Sequence, residues 1–465
     1  MSDGAHMSTT TPPRSSLDTA LRASGFVGRV VVPSDADYDR ARAGWNGAID
    51  RHPAAVAYAT DADDVSAAIR AARSAGTPLT VRGGAHSVSG RSVRDGALCI
   101  DLRALNAVEV DPRREIVRVG GGALLGEMDA ATQEHGLAVP GGQISHTGVG
   151  GLTLGGGLGW LMRRHGLTID SLRAADAVLA DGRIVRASPD EHPALFWALR
   201  GGGGDFAVVT RFEFRAHRVG PTVLAGMLVY PWKRAAEALR AGRDLMDEAP
   251  EELGMFAVLL TAPPADPFPR ELQGRPVVVL SVAWSGDLAE GERVLAPLRA
   301  NPPALDLVGP MPYVALQSML DATAPHGWQF HDRLHYLDEV GDGLFDALIA
   351  SFEHVPTRQS HIITGWMGGA IDRTPPGATA FGYRAARAET WIIGCSGDEP
   401  IGPAADWVRQ VWEDVAPHAT GGTYVNALAS DRPIREAYAD EVFERLVALK
   451  RRYDPEGVLS GNGIA

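Results

Sequence analysis

The sequence predicts an α+β fold in two domains, and three observations carry that expectation. The opening alternates strand-like runs with an amphipathic helix and glycine turns, which is the pattern of an α/β unit. Near Val219-Gly220-Pro221 the glycine turns thin out and long β-like runs begin, so a second, sheet-containing unit follows. The length, 465 residues, exceeds what one hydrophobic core ordinarily serves.

Taken in order, Leu17 to Ser24 reads as a short helix closed by Gly25. Tyr38 to Asp50 follows, carrying Trp45-Asn46-Gly47. Ala54 to Ala59 alternates as a strand. Asp61 to Gly76 is an amphipathic helix, with Asp61 as the cap and Val65, Ile69 and Ala72 on one face. Leu79 to Arg82 is a strand, and further strands follow at Leu98 to Leu102, Ala107 to Val110 and Ile116 to Val119. Ala123 to His135 is a helix stopped by Gly136. Ala174 to Leu179 and Ile184 to Ala187 flank Asp181-Gly182, a hairpin signal. Ala194 to Leu199 is helical, and Ala207 to Phe214 is a strand entered from a run of four glycines. Beyond residue 219, β-like runs at Phe256 to Leu260, Val277 to Ala283, Ile362 to Trp366 and Thr390 to Ile393 lie between helices such as Trp232 to Asp247 and Ala404 to Val415. A helix at Phe443 to Arg452 closes the chain.

Composition narrows the function. Hydrophobic residues make up 45% and charged residues 22%, the balance of a globular chain. A net charge of −13 argues against a nucleic-acid surface. Two cysteines, Cys99 and Cys395, form neither a disulfide framework nor a four-cysteine metal site, so a reducing, cytoplasmic setting is expected. No apolar run is long enough to span a membrane. Met1 to Pro13 lacks a signal-peptide core, and its Gly-Ala-His-Met run reads as a tag remnant.

Two glycine-rich stretches carry the chemistry. One runs from Thr80 to Gly90 around His86; the other runs from Gly141 to Leu167. Glycine lets backbone N–H groups approach a ligand closely, and successive N–H groups form nests for phosphate oxygens. No segment fits Gly-x-Gly-x-x-Gly; Gly202-x-Gly204-x-x-Ala207 fits the relaxed form but leads into β-branched Val208-Val209-Thr210 and opens no helix. There is no Gly-Lys-Ser/Thr loop. The glycines are therefore either a phosphate cradle of another kind or plain loops. His86 is either a loop histidine bonded locally or a nucleophile toward a cofactor. His331-Asp-Arg-Leu-His335 spaces two imidazoles as zinc sites do. Asp332 is shorter than the usual Glu and no third ligand follows, so a structural pair is expected and no metal.

Several segments together resemble the berberine-bridge-enzyme-like branch of the vanillyl-alcohol-oxidase flavoprotein family. They are Arg82-Gly83-Gly84-Ala85-His86-Ser87, the Gly148 to Leu167 stretch, Leu199-Arg200 through Asp205-Phe206, Tyr424-Val425-Asn426 and Tyr453-Asp454-Pro455. The resemblance runs from about Pro33 onward. Within the branch, Pro33 to Tyr38, Trp45-Asn46-Gly47 and Ser145-His146-Thr147-Gly148 look like actinobacterial oxidases of polyketide pathways.

The resemblance implies a two-part FAD-binding domain, residues 14–218 and 421–465, with an antiparallel-sheet substrate domain over residues 219–420. It places His86 where the family bonds covalently to the flavin 8α-methyl. Ile144 stands where many members carry a second, cysteinyl link, so attachment through His86 alone is implied. Gly83, Gly84, Ser87 and Gly90 would bind pyrophosphate through backbone N–H groups beside Ala85, with Arg82 adding charge. Gln143, Ser145, His146 and Thr147 would line the ring, with His146 and Thr147 close to the chemistry and Leu152 on the oxygen side. Gly150, Gly151, Gly155, Gly156 and Val208 complete the FAD contacts, with Tyr424, Asn426 and Asn462 reaching in from the C-terminal segment. Tyr424 is the implied proton acceptor. The chain departs from the family where Ala427 breaks the Tyr-x-Asn-Tyr pattern, and where Val258 and Ile363 stand in place of polar side chains. The activity implied is an oxidase that takes a hydride from an alcohol or activated C–H of a small-molecule secondary metabolite, passes electrons to O₂ and yields H₂O₂. The alternatives are an oxygenase working through a flavin-N5-oxide and a non-catalytic flavin-binding protein.

Overall fold

The computed structural model describes residues 16–429, 431–459, 461 and 463–464. The expected tag remnant and Asn462 lie outside them. Among the described residues, three larger sheets and a two-stranded pair of Leu137–Ala138 with His217–Arg218 carry the architecture, with helices packed around them.

The first sheet has four strands in the order Arg29–Val31, Ala55–Tyr58, Leu98–Asp101, Leu79–Arg82. The last three run parallel, which needs a crossover, and the helix Ala62–Ala75 supplies one. That helix starts where Asp61 accepts a hydrogen bond from the Asp64 N–H at 2.8 Å and stops at Gly76, with φ +59°. Its buried Val65, Ile69 and Ala72 pack on Ala55, Leu98 and Ile100 of the sheet.

The second sheet is antiparallel, ordered Val108–Asp111, Ile116–Gly120, Val208–Arg215, Leu172–Val178, Ile184–Ala187. Its last two strands are the hairpin that Asp181-Gly182 signals, and Gly182 takes φ +88° there. Val208 is a buried strand residue of this sheet, packed toward the first sheet.

The third sheet has eight antiparallel strands. Its central run is Thr222–Pro231, Pro276–Trp284, Leu253–Thr261, His361–Trp366, Ala388–Ser396 and Gln329–Leu337. Period-two alternation splits its faces. Met255, Ala257, Leu259, Ile362 and Ile392 pack under the helices Ala235–Glu248, Asp342–Phe352 and Gly402–Val415. Phe256, Val258, Ile363, Trp391 and Asp332 occupy the alternate positions.

The spacing of His331 and His335 falls on a strand, not a helix. At about 3.3 Å rise per residue their Cα atoms lie roughly 13 Å apart, too far to share an ion. His335 stacks on Trp412 with ring centroids 4.5 Å apart, and its Nε2 pairs with the Trp412 carbonyl at 2.8 Å. No cluster of potential metal ligands exists among the described residues, and no helix there is long and apolar enough to cross a membrane.

The helix Asp440–Tyr453 leads the chain back to the first sheet, where Leu459 bridges Leu79 in parallel. Lys450 is buried beneath this return. Its ammonium donates to the Asp205 carbonyl at 2.9 Å and to Asp454 Oδ2 at 2.7 Å.

Candidate functional site

One continuous cavity joins the glycine turns, the C-terminal return and the alternate face of the large sheet. The two glycine stretches touch at Gly84 and Gly148. A Cβ on Gly148 would lie 2.4 Å from the Gly84 nitrogen, and one on Gly84 would lie 2.5 Å from Gly148. Only glycine at both positions lets these backbones cross.

Just beyond the crossing, Ala85 takes φ +61°, a left-handed conformation that costs a non-glycine residue on the order of 1 kcal/mol or more. The Trp45 N–H holds the Ala85 carbonyl at 2.9 Å. The turn aims His86 into a slot of rings. Trp45 stacks on His86 at 4.0 Å, Phe330 stacks on Trp45 at 4.0 Å, and His146 sits 5.0 Å from His86. The Nε2 of His86 is buried without a hydrogen-bond partner. Burial, with His146 and His326 nearby, pushes its pKa down to about 3, so the imidazole is neutral and its lone pair available.

The structure distributes the residues singled out in the sequence. Gly83, Gly84, Ala85, His86, Ser87, Gln143, Thr147, Gly151, Leu152, Tyr424 and Asn426 line the cavity. Arg82 does not. Its guanidinium is fully buried against Asp101, its register partner on the next strand, with Nε to Oδ2 at 2.9 Å, and it also ties down the Ala41 and Ala43 carbonyls. Its charge therefore serves the first sheet and not a pyrophosphate. Arg91 lines the cavity instead, with a buried Nη1 that makes no hydrogen bond.

Ser145 is turned away from the cavity toward Asp321, with N–H to Oδ1 at 2.8 Å and Oγ to Oδ2 at 2.5 Å. His146 lies outside the lining, between His86 and His326, and burial lowers its pKa. Gly90, with φ +71°, turns against Ile49, and a Cβ on Gly150 would meet the Gly121 carbonyl at 2.7 Å. Gly155 makes room for the Asn426 amide, and Gly156, with φ +136°, faces Phe381. These glycines shape the walls rather than form them.

Tyr424 is buried. Its oxygen accepts from the Gly157 N–H at 3.0 Å and from Asn426 Nδ2 at 3.0 Å. Burial still dominates and raises the phenol to about 12, so the phenolate is disfavoured near neutrality. Asp332 sits differently. It lines the cavity from the Gln329–Leu337 strand and is 4% exposed; the Trp391 indole N–H donates to its Oδ2 at 2.7 Å. Burial pushes its carboxyl up to about 7. The sequence singled out Asp332 only as a poor zinc-motif carboxylate; its alternation against Phe330 and Leu334 on one strand face was the available signal.

Trp45-Asn46-Gly47 is the clamp that holds this geometry. Trp45 Nε1 donates to the Ala324 carbonyl at 2.7 Å. Asn46 Nδ2 donates to the Val88 and Phe330 carbonyls at 2.7 and 2.9 Å, while its Oδ1 accepts from the Phe330 N–H at 2.9 Å. One side chain thus joins the His86 loop to the strand that carries Asp332.

The residues present fit a dinucleotide flavin. A backbone crossing that any Cβ would block, an unpaired guanidinium nitrogen at Arg91 and a neutral, orphaned His86 imidazole share one cavity, and buried Gln143 Nε2 also lacks a partner. The family described as FAD binding domain matches residues 53–188. An FAD-linked oxidoreductase of Dictyostelium discoideum is 28% identical over 423 residues, 90% of each chain. Among solved structures, the berberine-bridge-enzyme-like protein 1 of Physcomitrella patens superposes with a TM-score of 0.86 at 23% identity, covering 96% of this chain and 98% of that one. The 6-hydroxy-D-nicotine oxidase of Arthrobacter nicotinovorans gives 0.83 at 26% identity, over 95% and 98%. The glucooligosaccharide oxidase of Acremonium strictum, whose FAD is described as 6-S-cysteinyl and 8α-N1-histidyl, gives 0.85 at 24% identity, over 97% and 99%.

Proposed function

We propose that this chain, an FAD-linked oxidoreductase with the berberine-bridge-enzyme-like fold, is an oxidase that holds its flavin covalently through His86 and oxidises a small molecule with O₂. In this reading residues 14–218 and 421–465 hold the cofactor, and residues 219–420 cover it. The observation that carries the reading is the buried, neutral and partnerless Nε2 of His86 at the glycine crossing. FAD, when bound, supplies the hydride acceptor and hands the electrons on to O₂. The rest is the work of the chain. The backbone amides of Gly83 to Ser87 and the Arg91 guanidinium meet the pyrophosphate charge. His86 supplies the covalent anchor. Ile144, on the cavity wall, has no nucleophile to add a second bond. Asp332 takes the proton from the substrate heteroatom as its C–H is oxidised, and it replaces Tyr424 in that role because its pKa lies near neutrality. Tyr424 holds the Gly157 turn and Asn426 in place.

Acid precipitation of the purified protein tests the reading. The flavin should stay with the pellet, and proteolysis should give one flavinylated peptide, containing His86. His86→Ala should move the flavin to the supernatant. Complete release from the wild type sinks the covalent assignment, and a flavin bond at Cys99 or Cys395 sinks the single-link assignment.

A further inference from the structure

The substrate end of the cavity carries an asymmetry of charge that its shape alone does not require. The wall presented by the large sheet is apolar or aromatic at Phe330, Ile363, Trp391 and Ile393. One carboxyl, Asp332, is set into it, and the Trp391 indole N–H donates to its Oδ2 at 2.7 Å. Among the described residues, Arg91 is the one lysine or arginine that lines the cavity, and none is hydrogen-bonded to Asp332. Arg333, the next residue, points to the opposite face of the strand and pairs with Asp431 at 3.0 Å. Arg91 lies in the field of Asp205 and Tyr438, and not of Asp332.

The other titratable groups facing this space add no cation. Burial lowers the pKa of His361 and holds His86 neutral. Tyr424 is a phenol with a raised pKa. Glu389, on the same face of the adjoining strand, is a second buried carboxyl with a raised pKa. A carboxylate in such surroundings is expensive to ionise unless a positive charge arrives with the substrate. An aromatic wall beside a carboxylate is also the ordinary environment for a bound ammonium, because ring faces attract cations. An oligosaccharide would instead leave hydroxyls against Ile363 and Ile393 without partners.

We propose that the substrate is a hydrophobic amine, bound as its ammonium ion between the Asp332 carboxylate and the aromatic wall formed by Trp391 and Phe330. The inference rests on the oxidoreductase reading above and names its substrate class. The chemistry balances. The ammonium gives its proton to Asp332, and the C–H next to nitrogen leaves as hydride to the flavin. The C–N single bond becomes an iminium, which water hydrolyses to a carbonyl compound and a smaller amine or ammonia. O₂ then accepts the hydride's two electrons and leaves as H₂O₂, taking up that hydrogen and the proton released from Asp332.

Titration calorimetry on the full, flavin-loaded protein tests this without turnover. Benzyltrimethylammonium is the cationic probe and neopentylbenzene its neutral isostere. At pH 8 the cation should bind at least about tenfold more tightly than the isostere. That advantage should shrink about tenfold per unit as pH falls below 7, because Asp332 takes up a proton there. Asp332→Asn keeps the Trp391 hydrogen bond and should erase the cation's advantage while leaving the isostere unchanged. Equal binding of the two probes by the wild type at pH 8, or an advantage that survives in Asp332→Asn, overturns the amine assignment. The underlying reading fails separately: a purified protein with no flavin, or a flavin that O₂ does not reoxidise after photoreduction, removes the oxidase whatever the probes do.

Discussion

At the residue scale, two neighbouring environments give opposite chemistry to two groups. Burial among rings and other imidazoles keeps His86 neutral by lowering its pKa to about 3, while burial in an apolar wall raises the Asp332 carboxyl to about 7. A base works only when ionised, so the anaerobic rate of flavin reduction should rise with pH through about 7. Asp332→Asn should lower that rate by roughly 10²-fold or more and remove the acid limb, as read by stopped-flow absorbance. A residual acid limb would assign the proton to another group, Glu389 first. Leu152 and Thr147 border the same cavity. Leu152→Phe and Thr147→Leu overfill their places and should slow reoxidation of the photoreduced enzyme by O₂, with anaerobic reduction less affected. Unchanged reoxidation in both removes them from the oxygen path. Part of this site was readable in advance. His86 stood out because small residues surround it. Arg82 misled because it precedes Gly83, and the strand pleat that sends it to Asp101 depends on a partner strand many residues away. Arg91 carried no local mark, since its role comes from what it faces.

At the element scale, regular patterns were legible where one face is buried and the other wet. The helix Ala62–Ala75 shows its cap, its period and its glycine stop in sequence. The strand Gln329–Leu337 hides because both of its faces are covered: Phe330, Asp332, Leu334 and Tyr336 alternate with His331, Arg333 and His335, and Arg333 and His335 pack at Trp412. Polar residues on a buried strand face imitate a motif. The glycine crossing is the element on which the cavity depends. Gly148→Ala would drive a Cβ against the Gly84 backbone nitrogen, and backbone cannot move aside as a side chain tip can. The variant should purify with well under half the FAD per chain of the wild type, measured by the ratio of flavin to protein absorbance. Full occupancy in Gly148→Ala would show that the crossing is not the cradle.

At the scale of the whole molecule, the glycine-rich half and the large sheet are joined by contacts that sequence could not show. One is the Asn46 clamp. Another lies between the helices Leu125–Gln133 and Tyr313–Ser318, where Gln317 Nε2 donates to Asp129 Oδ2 at 2.9 Å. Asp129 is fully buried and burial pushes it up to about 7; its Oδ1, the Gln317 Oε1 and the Tyr313 hydroxyl have no partners. The folded state holds a proton on Asp129 that the unfolded chain releases near pH 4, so the stabilisation it brings is present below pH 4 and is lost as pH rises toward 7. Asp129→Asn mimics the protonated acid. It should match the wild type near pH 4 and exceed it at pH 8 by on the order of 3 kcal/mol, read from urea unfolding at a series of pH values. A gap that does not grow with pH would place the proton elsewhere.

The return of the chain to the first sheet also sets an order of assembly. Leu79 and Gly84 open the cavity early in the sequence, while Leu459 and Gly461, on the same cavity wall, come near its end. On the ribosome the first sheet can fold long before that wall exists. A nascent chain therefore presents His86 in an open groove, able to meet flavin but not to enclose it. The wall that Leu459 and Gly461 supply follows the whole large sheet in sequence, so a flavin held at His86 is enclosed only after that sheet has been translated.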